Sequence, residues 1–146
     1  MDGSSLYDRD FYAWAIEQAA LLRAGKLDAA DIENIAEEIE SIARHEKREL
    51  RDSLCALLRH LLVWTRLTGG RCGSWQSRIT LDRRRIGYLL SDSPSLAGEL
   101  DDVLIGAYCM ARLEAVIRTG LDEAKFPAEC PWSFAEMMSA SFWPEA

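Results

Sequence analysis

Residues 31–66 read DIENIAEEIESIARHEKRELRDSLCALLRHLLVWTR, a run with neither proline nor glycine. Within it, Ile32, Ile35, Ile39, Ile42, Leu50, Leu54, Leu57, Leu61 and Trp64 fall mostly three or four residues apart. Residues so spaced share one face of a helix. The stretch therefore predicts one long helix and, with it, an all-α helical bundle. Unbroken from Ile32 to Leu67, that helix is about 54 Å long, whereas a compact domain of this size has a diameter of about 38 Å. Three arrangements reconcile the two lengths: an elongated bundle, a helix that projects into a partner, or a bend within the all-polar stretch 44–49. A projecting helix favours a dimer.

On the N-terminal side, Asp8 is placed to cap a first helix carrying Phe11, Trp14, Ala15, Ala19 and Leu22, and Gly25 is a natural stop. A short link, residues 26–28, leads to the long helix, with Asp28 or Asp31 as its cap; links this short favour antiparallel neighbours. On the C-terminal side, Gly69, Gly70 and Gly73 mark a loop over 68–73. Ser74 then reads as the cap of a third helix bearing Trp75, Ile79, Ile86, Leu89 and Leu90. Asp92-Ser93-Pro94 ends that helix and opens a fourth, because proline suits a first helical turn. The fourth helix runs through Leu96, Leu100, Val103, Leu104, Ala107, Ala111 and Val116 to a stop at Gly120. A proline-bearing loop, 121–132, precedes a short last helix over 134–140, for which Ser133 and Glu136 form a capping box. The expectation is four principal helices and a short C-terminal one, in a single domain spanning residues 1–146.

A chain of 146 residues can bury a proper core without disulfides or metals. The apolar stretch 54–64 is interrupted by Arg59 and His60 and is too short to span a bilayer. Met1 to Tyr7 form a short polar start without a signal-peptide core. A cytoplasmic protein with no membrane partner is the expectation. Cys55, Cys72, Cys109 and Cys130 are far apart and contain no C-x-x-C pair, which favours reduced thiols. The net charge of −7 is segregated: residues 1–40 carry three bases and ten acids, 41–85 eleven bases and four acids, and 86–146 three bases and ten acids. Pairing of the middle helices with acidic neighbours explains this; a basic binding face is the alternative.

Several stretches also carry a family resemblance. Tyr7-Asp8-Arg9-Asp10-Phe11-Tyr12-Ala13-Trp14, Glu37-Glu38-Ile39-Glu40, Arg44 to Arg48, His60-Leu61-Leu62-Val63-Trp64 and Ser74-Trp75 resemble, in order, motifs of the bacterial family called domain of unknown function 29. Arg83-Arg84-Arg85-Ile86, Asp92-Ser93-Pro94-Ser95 and Phe126-Pro127-Ala128-Glu129-Cys130-Pro131 continue the resemblance, which covers Leu6 to Phe142. It implies an all-helical fold. The family has no established activity, so the resemblance carries over no functional residues.

Polar residues in apolar places are the candidates for chemistry. At 100° per residue Glu46 falls near the centre of the long helix's apolar stripe, and Asp82 falls within the third helix's stripe between Ile79 and Ile86. A buried carboxylate must be paired, hydrogen-bonded or protonated, and Arg78 and Arg85 flank Asp82 at helical spacing. His60, at the stripe's edge, is expected to satisfy a carboxylate or carbonyl. Glu46, His60, Arg78, Asp82 and Arg85 thus form a candidate buried polar network. Glu46 and His60 are about 21 Å apart along one helix, so they cannot share a metal. His45 points away from the stripe and the Glu-x-x-His pairs of di-iron bundles are absent, so no metal or cofactor site is indicated.

Arginines crowd the glycine loop and the third helix. Arg71, Ser74, Arg78, Arg83 and Arg84 are candidates for binding a small anion, helped by backbone amides at the third helix's start. Trp75 and Tyr88 add aromatic groups suited to nucleic acid, although the sequence pI of about 4.9 opposes a polyanion. Cys72 precedes a helix start, where thiol pKa values fall. Cys55 and Cys109 read as core residues, Cys130 as packing for the proline-rich crossing, and Phe142 and Trp143 as aromatics that fold back onto the bundle. With no catalytic motif, the leading expectation is a protein-interaction module, a homodimer or the partner of another small protein. The alternatives are a small-anion or nucleic-acid binder through segment 59–85, and an enzyme using Glu46, Asp82 or His60.

Overall fold

A computed structural model describes residues 4–145; the first three residues of the polar N-terminal stretch lie outside this range. The described residues contain helices and no strand. In order these are α1 (Leu6–Arg9), α2 (Phe11–Arg23), α3 (Ile32–Arg66), α4 (Gly73–Asp92), α5 (Leu100–Thr119) and α6 (Phe134–Met138), with short 3-10 turns in the links. Four are long and α3 is the longest, as the periodicity requires. It runs unbroken through the polar stretch 44–49. The chain divides into two compact units, residues 1–45 and 46–146.

In the first unit the N-terminus departs from expectation. Asp8 closes a capping box with Ser5 on the single-turn α1, and it is Asp10 that caps α2, accepting from the Ala13 N–H. Asp10 holds this position because the helix restarts directly after it, leaving the Ala13 N–H without an intrahelical acceptor. Gly25 ends α2 at φ +70°. The Gly25 N–H donates to the Leu22 carbonyl and the Lys26 N–H to the Leu21 carbonyl, a Schellman closure that favours glycine. Asp31 caps α3 by accepting from the Asn34 N–H at 3.4 Å. It also accepts from the Trp14 indole at 3.0 Å, while its own N–H donates to Gln18 at 2.7 Å. These bonds bury Trp14 and Gln18 of α2 beside the start of α3.

The second unit holds the main core. Leu50, Leu54, Leu57, Leu58, Leu61 and Trp64 of α3 pack with Ile79 and Ile86 of α4, Val103, Ala107 and Ala111 of α5, and Phe126 and Met137. Three boundaries move. The third helix begins at Gly73 with Cys72, not Ser74, in the cap position. Pro94 opens a 3-10 segment through Glu99, and the α-helix starts at Leu100. The Ser133–Glu136 capping box forms, but α6 ends at Met138, two residues early.

The largest departure concerns the apolar stripe. From Leu50 onward it is buried, yet Ile32, Ile39 and Ile42 are 51, 62 and 65% exposed. Helical period identifies a face but not what covers it, and α1 and α2 engage a different edge of α3. Tyr7 of α1 donates its hydroxyl proton to Glu38, and Trp14 reaches Asp31. Phe11, Tyr12, Ile16, Leu22 and Leu27 are exposed in the same unit.

Candidate functional site

His60 and Asp82 meet in the core of the second unit. His60 is 8% and Asp82 5% exposed, and Nδ1 of His60 lies 2.6 Å from Oδ2 of Asp82. A carboxylate only accepts, so the imidazole donates from Nδ1 and its remaining polar atom is Nε2. That atom is buried and has no hydrogen-bond partner among the described residues. Asp82 therefore has a partner, as its buried position demands, but the partner is not Arg78 or Arg85. Both arginines are exposed; their long side chains keep the guanidinium hydrated, while the neighbouring helix supplies an imidazole inside the core. Glu46 is half-buried and lies about 21 Å along α3 from His60, so it does not join the pair.

The arginine cluster divides by role. Arg71 donates from Nε (3.0 Å) and Nη2 (2.8 Å) to the Trp64 carbonyl, one of the last carbonyls of α3, with its guanidinium 4.9 Å from the Trp64 ring centroid. Arg83 is buried, and burial pulls its pKa below the usual arginine value. It donates to the Met137 carbonyl at 2.7 Å and the Phe142 carbonyl at 2.6 Å, and lies 5.1 Å from the Trp143 ring centroid. Arg83 thus ties down the C-terminal segment, and Phe142 and Trp143 fold back as expected. Arg71 and Arg83 each commit Nε and Nη2 to main-chain carbonyls, while Nη1 of Arg83 is buried without a partner among the described residues. Arg59 pairs with Glu114 of α5 at 2.6 Å, but its Nε has no partner among the described residues. Arg78, Arg84 and Arg118 are exposed and make no ion pair or hydrogen bond among the described residues.

One open cavity of about 360 Å³ collects what remains, lined by Arg59, His60, Trp75, Arg78 and Arg118 with apolar wall from Val63 and Leu67. Cys72 and Ser74, at the start of α4, line its far end, and no carboxylate does. Ser74 is exposed, with its hydroxyl 3.2 Å from the Cys72 sulfur. The bond from Ser74, reinforced by the backbone N–H of Trp75 and by Arg78, lowers the Cys72 pKa. Sequence reasoning missed Arg118, which lies on α5, far from the arginine-rich segment. Asp82 lies ten residues, about 15 Å, along α4 from Cys72, so His60, bonded at the level of Asp82, is no base for that thiol. Among the described residues no group of three His, Cys, Asp or Glu side chains could hold a metal ion.

The other cysteines are inert or peripheral. Burial pushes the Cys55 thiol up to about 11 and also raises Cys130. Cys109, expected in the core, is exposed because Ala107 and Ala111 face inward on α5 instead. A second uncovered apolar row, Met110, Leu113 and Ile117, lies on α5.

No helix among the described residues is long and apolar enough to cross a membrane. No curated protein and no solved structure matches this chain. A family model does match, over residues 6–143, nearly the whole chain and a span that contains all the ordered motifs. The chain belongs to the family described as Domain of unknown function DUF29.

Proposed function

We propose that this protein is an interaction module that pairs with a second copy of itself through the N-terminal part of α3. The observation that carries this reading is the exposure of Ile32, Ile39 and Ile42 at successive helical spacings, a narrow apolar seam of the kind two helices bury together. Charge favours a second copy, antiparallel, as the occupant. Residues 32–41 hold Glu33, Glu37, Glu38 and Glu40 with no base, whereas residues 44–51 hold Arg44, Lys47, Arg48 and Arg51 against Glu46 and Glu49. A two-fold axis near Ile42 packs Ile42 and the adjacent Ile39 of the two copies together and sets the acidic segment of each copy beside the basic segment of the other, as an isologous interface demands; Ile32 lies beyond this contact. The exposed pairs of Arg44 with Glu37 and of Lys47 with Glu99 exchange partners at little cost.

Sedimentation velocity over a concentration series tests this. The wild type should pass from monomer to dimer, and Ile39→Glu with Ile42→Glu should remain monomeric with unchanged helical content. A wild type that stays monomeric at the highest concentration rules out self-association. Dimerisation that survives the double substitution moves the interface elsewhere, the α5 row being the next surface to test.

A further inference from the structure

We infer that the cavity between α3, α4 and α5 in the second unit binds a small organic oxyanion, a phosphate or carboxylate carried on an apolar, aromatic body. Four independent features converge on that ligand. The wall is cationic, with Arg59, Arg78 and Arg118 lining it and no carboxylate, and Arg78 and Arg118 are without partners among the described residues. His60 lines the cavity while more than nine-tenths buried, and its one uncommitted polar atom, Nε2, has no partner among the described residues. Buried polar atoms are nearly always hydrogen-bonded, so an orphan in a residue that lines a cavity marks a place for a ligand group. With Nδ1 donating to Asp82, Nε2 of the neutral ring accepts, and the group it suits is a donor such as the hydroxyl of a singly protonated phosphate.

The cavity also includes the N-terminus of α4, a twenty-residue helix, where free N–H groups and the helix dipole attract negative charge. The thiol in the cap position reports that field, since Ser74, the Trp75 N–H and Arg78 all favour its anionic form. Finally, Val63, Leu67 and the half-buried Trp75 make part of the wall apolar and aromatic, which an inorganic ion cannot use. The volume of about 360 Å³ is that of a small-molecule site. The helix start offers the oxyanion the Gly73 and Ser74 amides, the Trp75 and Gln76 N–H groups being bonded to the Cys72 carbonyl. Arg78 and Arg118 supply charge, and Trp75 supplies a face for the ligand's ring.

Phenyl phosphate is the probe, with phenol and inorganic phosphate as its two halves. Binding is followed by tryptophan fluorescence, by the ring resonances of His60, and by the rate at which iodoacetamide alkylates Cys72. Phenyl phosphate should shift the His60 resonances, perturb Trp75 and slow alkylation, and should bind at least about tenfold more tightly than either half, or about 1.4 kcal/mol. Arg78→Gln with Arg118→Gln alters two exposed side chains, so the fold should persist by circular dichroism. Affinity for phenyl phosphate should then fall about tenfold or more, while Arg84→Gln, outside the cavity, leaves it unchanged. Absence of binding at millimolar probe overturns the inference, as does equal affinity in the double variant. Phenol binding as tightly as phenyl phosphate removes the anion from the site; inorganic phosphate doing so removes the aromatic body.

Discussion

At the scale of single residues, the His60–Asp82 pair is where a small change has the largest structural consequence. Asp82→Ala leaves both imidazole nitrogens unpartnered in the core and should cost about 3 kcal/mol or more. Urea unfolding reads this directly; a loss within experimental error means the pair is not held as described. The thiols should separate by reactivity. Cys72 is exposed with a lowered pKa, while Cys55 and Cys130 are half-buried with raised ones. Iodoacetamide followed by peptide mass analysis should modify Cys72 well before those two, and at lower pH. Cys55 reacting as fast as Cys72 contradicts the assignment. On α1, the hydrogen bond to Glu38 pushes the Tyr7 pKa up to about 12. A folded value above the unfolded one means that the stabilisation is full below about pH 10 and lost as pH rises through about 12. Because burial also pushes Tyr108 up to about 12, Tyr7→Phe should reduce the tyrosinate absorbance step near pH 12 by about half and flatten that part of the stability profile. An unchanged step assigns it to Tyr108 alone.

At the scale of the element, α3 carries one apolar stripe with two fates. Leu57 is fully buried, so Leu57→Ala should cost about 2–5 kcal/mol. Ile39 belongs to the same stripe but is largely exposed, so in dilute protein Ile39→Ala should change stability by no more than about 0.5 kcal/mol. Denaturant curves for the two variants at low concentration decide it, and equal losses mean that Ile39 is covered within the monomer. The contrast explains what could be read from the chain. The existence of α3, α4 and α5, the extent of α3, the inward placement of Asp82 and the loop around Gly70 follow from spacing and stop residues, which are local. The partner of Asp82 is 22 positions away, and same-helix arithmetic proposes only same-helix neighbours such as Arg78 and Arg85. The carbonyls that Arg71 and Arg83 bind are hidden from sequence for a related reason, since a main-chain carbonyl carries no side-chain signal. Arg118 went unnoticed because only the packing of α5 brings it to the cavity.

At the scale of the whole molecule, the two units differ in how much they bury. The described buried core apart from Trp14 and Gln18 lies at Leu50 and beyond. The first unit is held largely by polar bonds around Asp31, by Tyr7 with Glu38, and by ring contacts of Tyr7 with Phe11 and Trp14. Few buried apolar contacts mean low local stability, and such regions open without global unfolding. Amides of residues 12–40 should therefore exchange with solvent far faster than those of 54–64, about a hundredfold or more, or some 2.7 kcal/mol. Equal protection makes the chain one cooperative domain, as its length alone suggests. Repeating the exchange over a concentration series adds a second test on the same molecule. If a second copy covers Ile39 and Ile42, protection across 39–45 should rise with concentration, while protection across 54–64, already set by the core, stays constant. Ile39→Glu should remove that rise and leave the core amides untouched, because a charge placed on the seam acts on the pairing of copies and not on the packing of Leu54, Leu57 and Leu61.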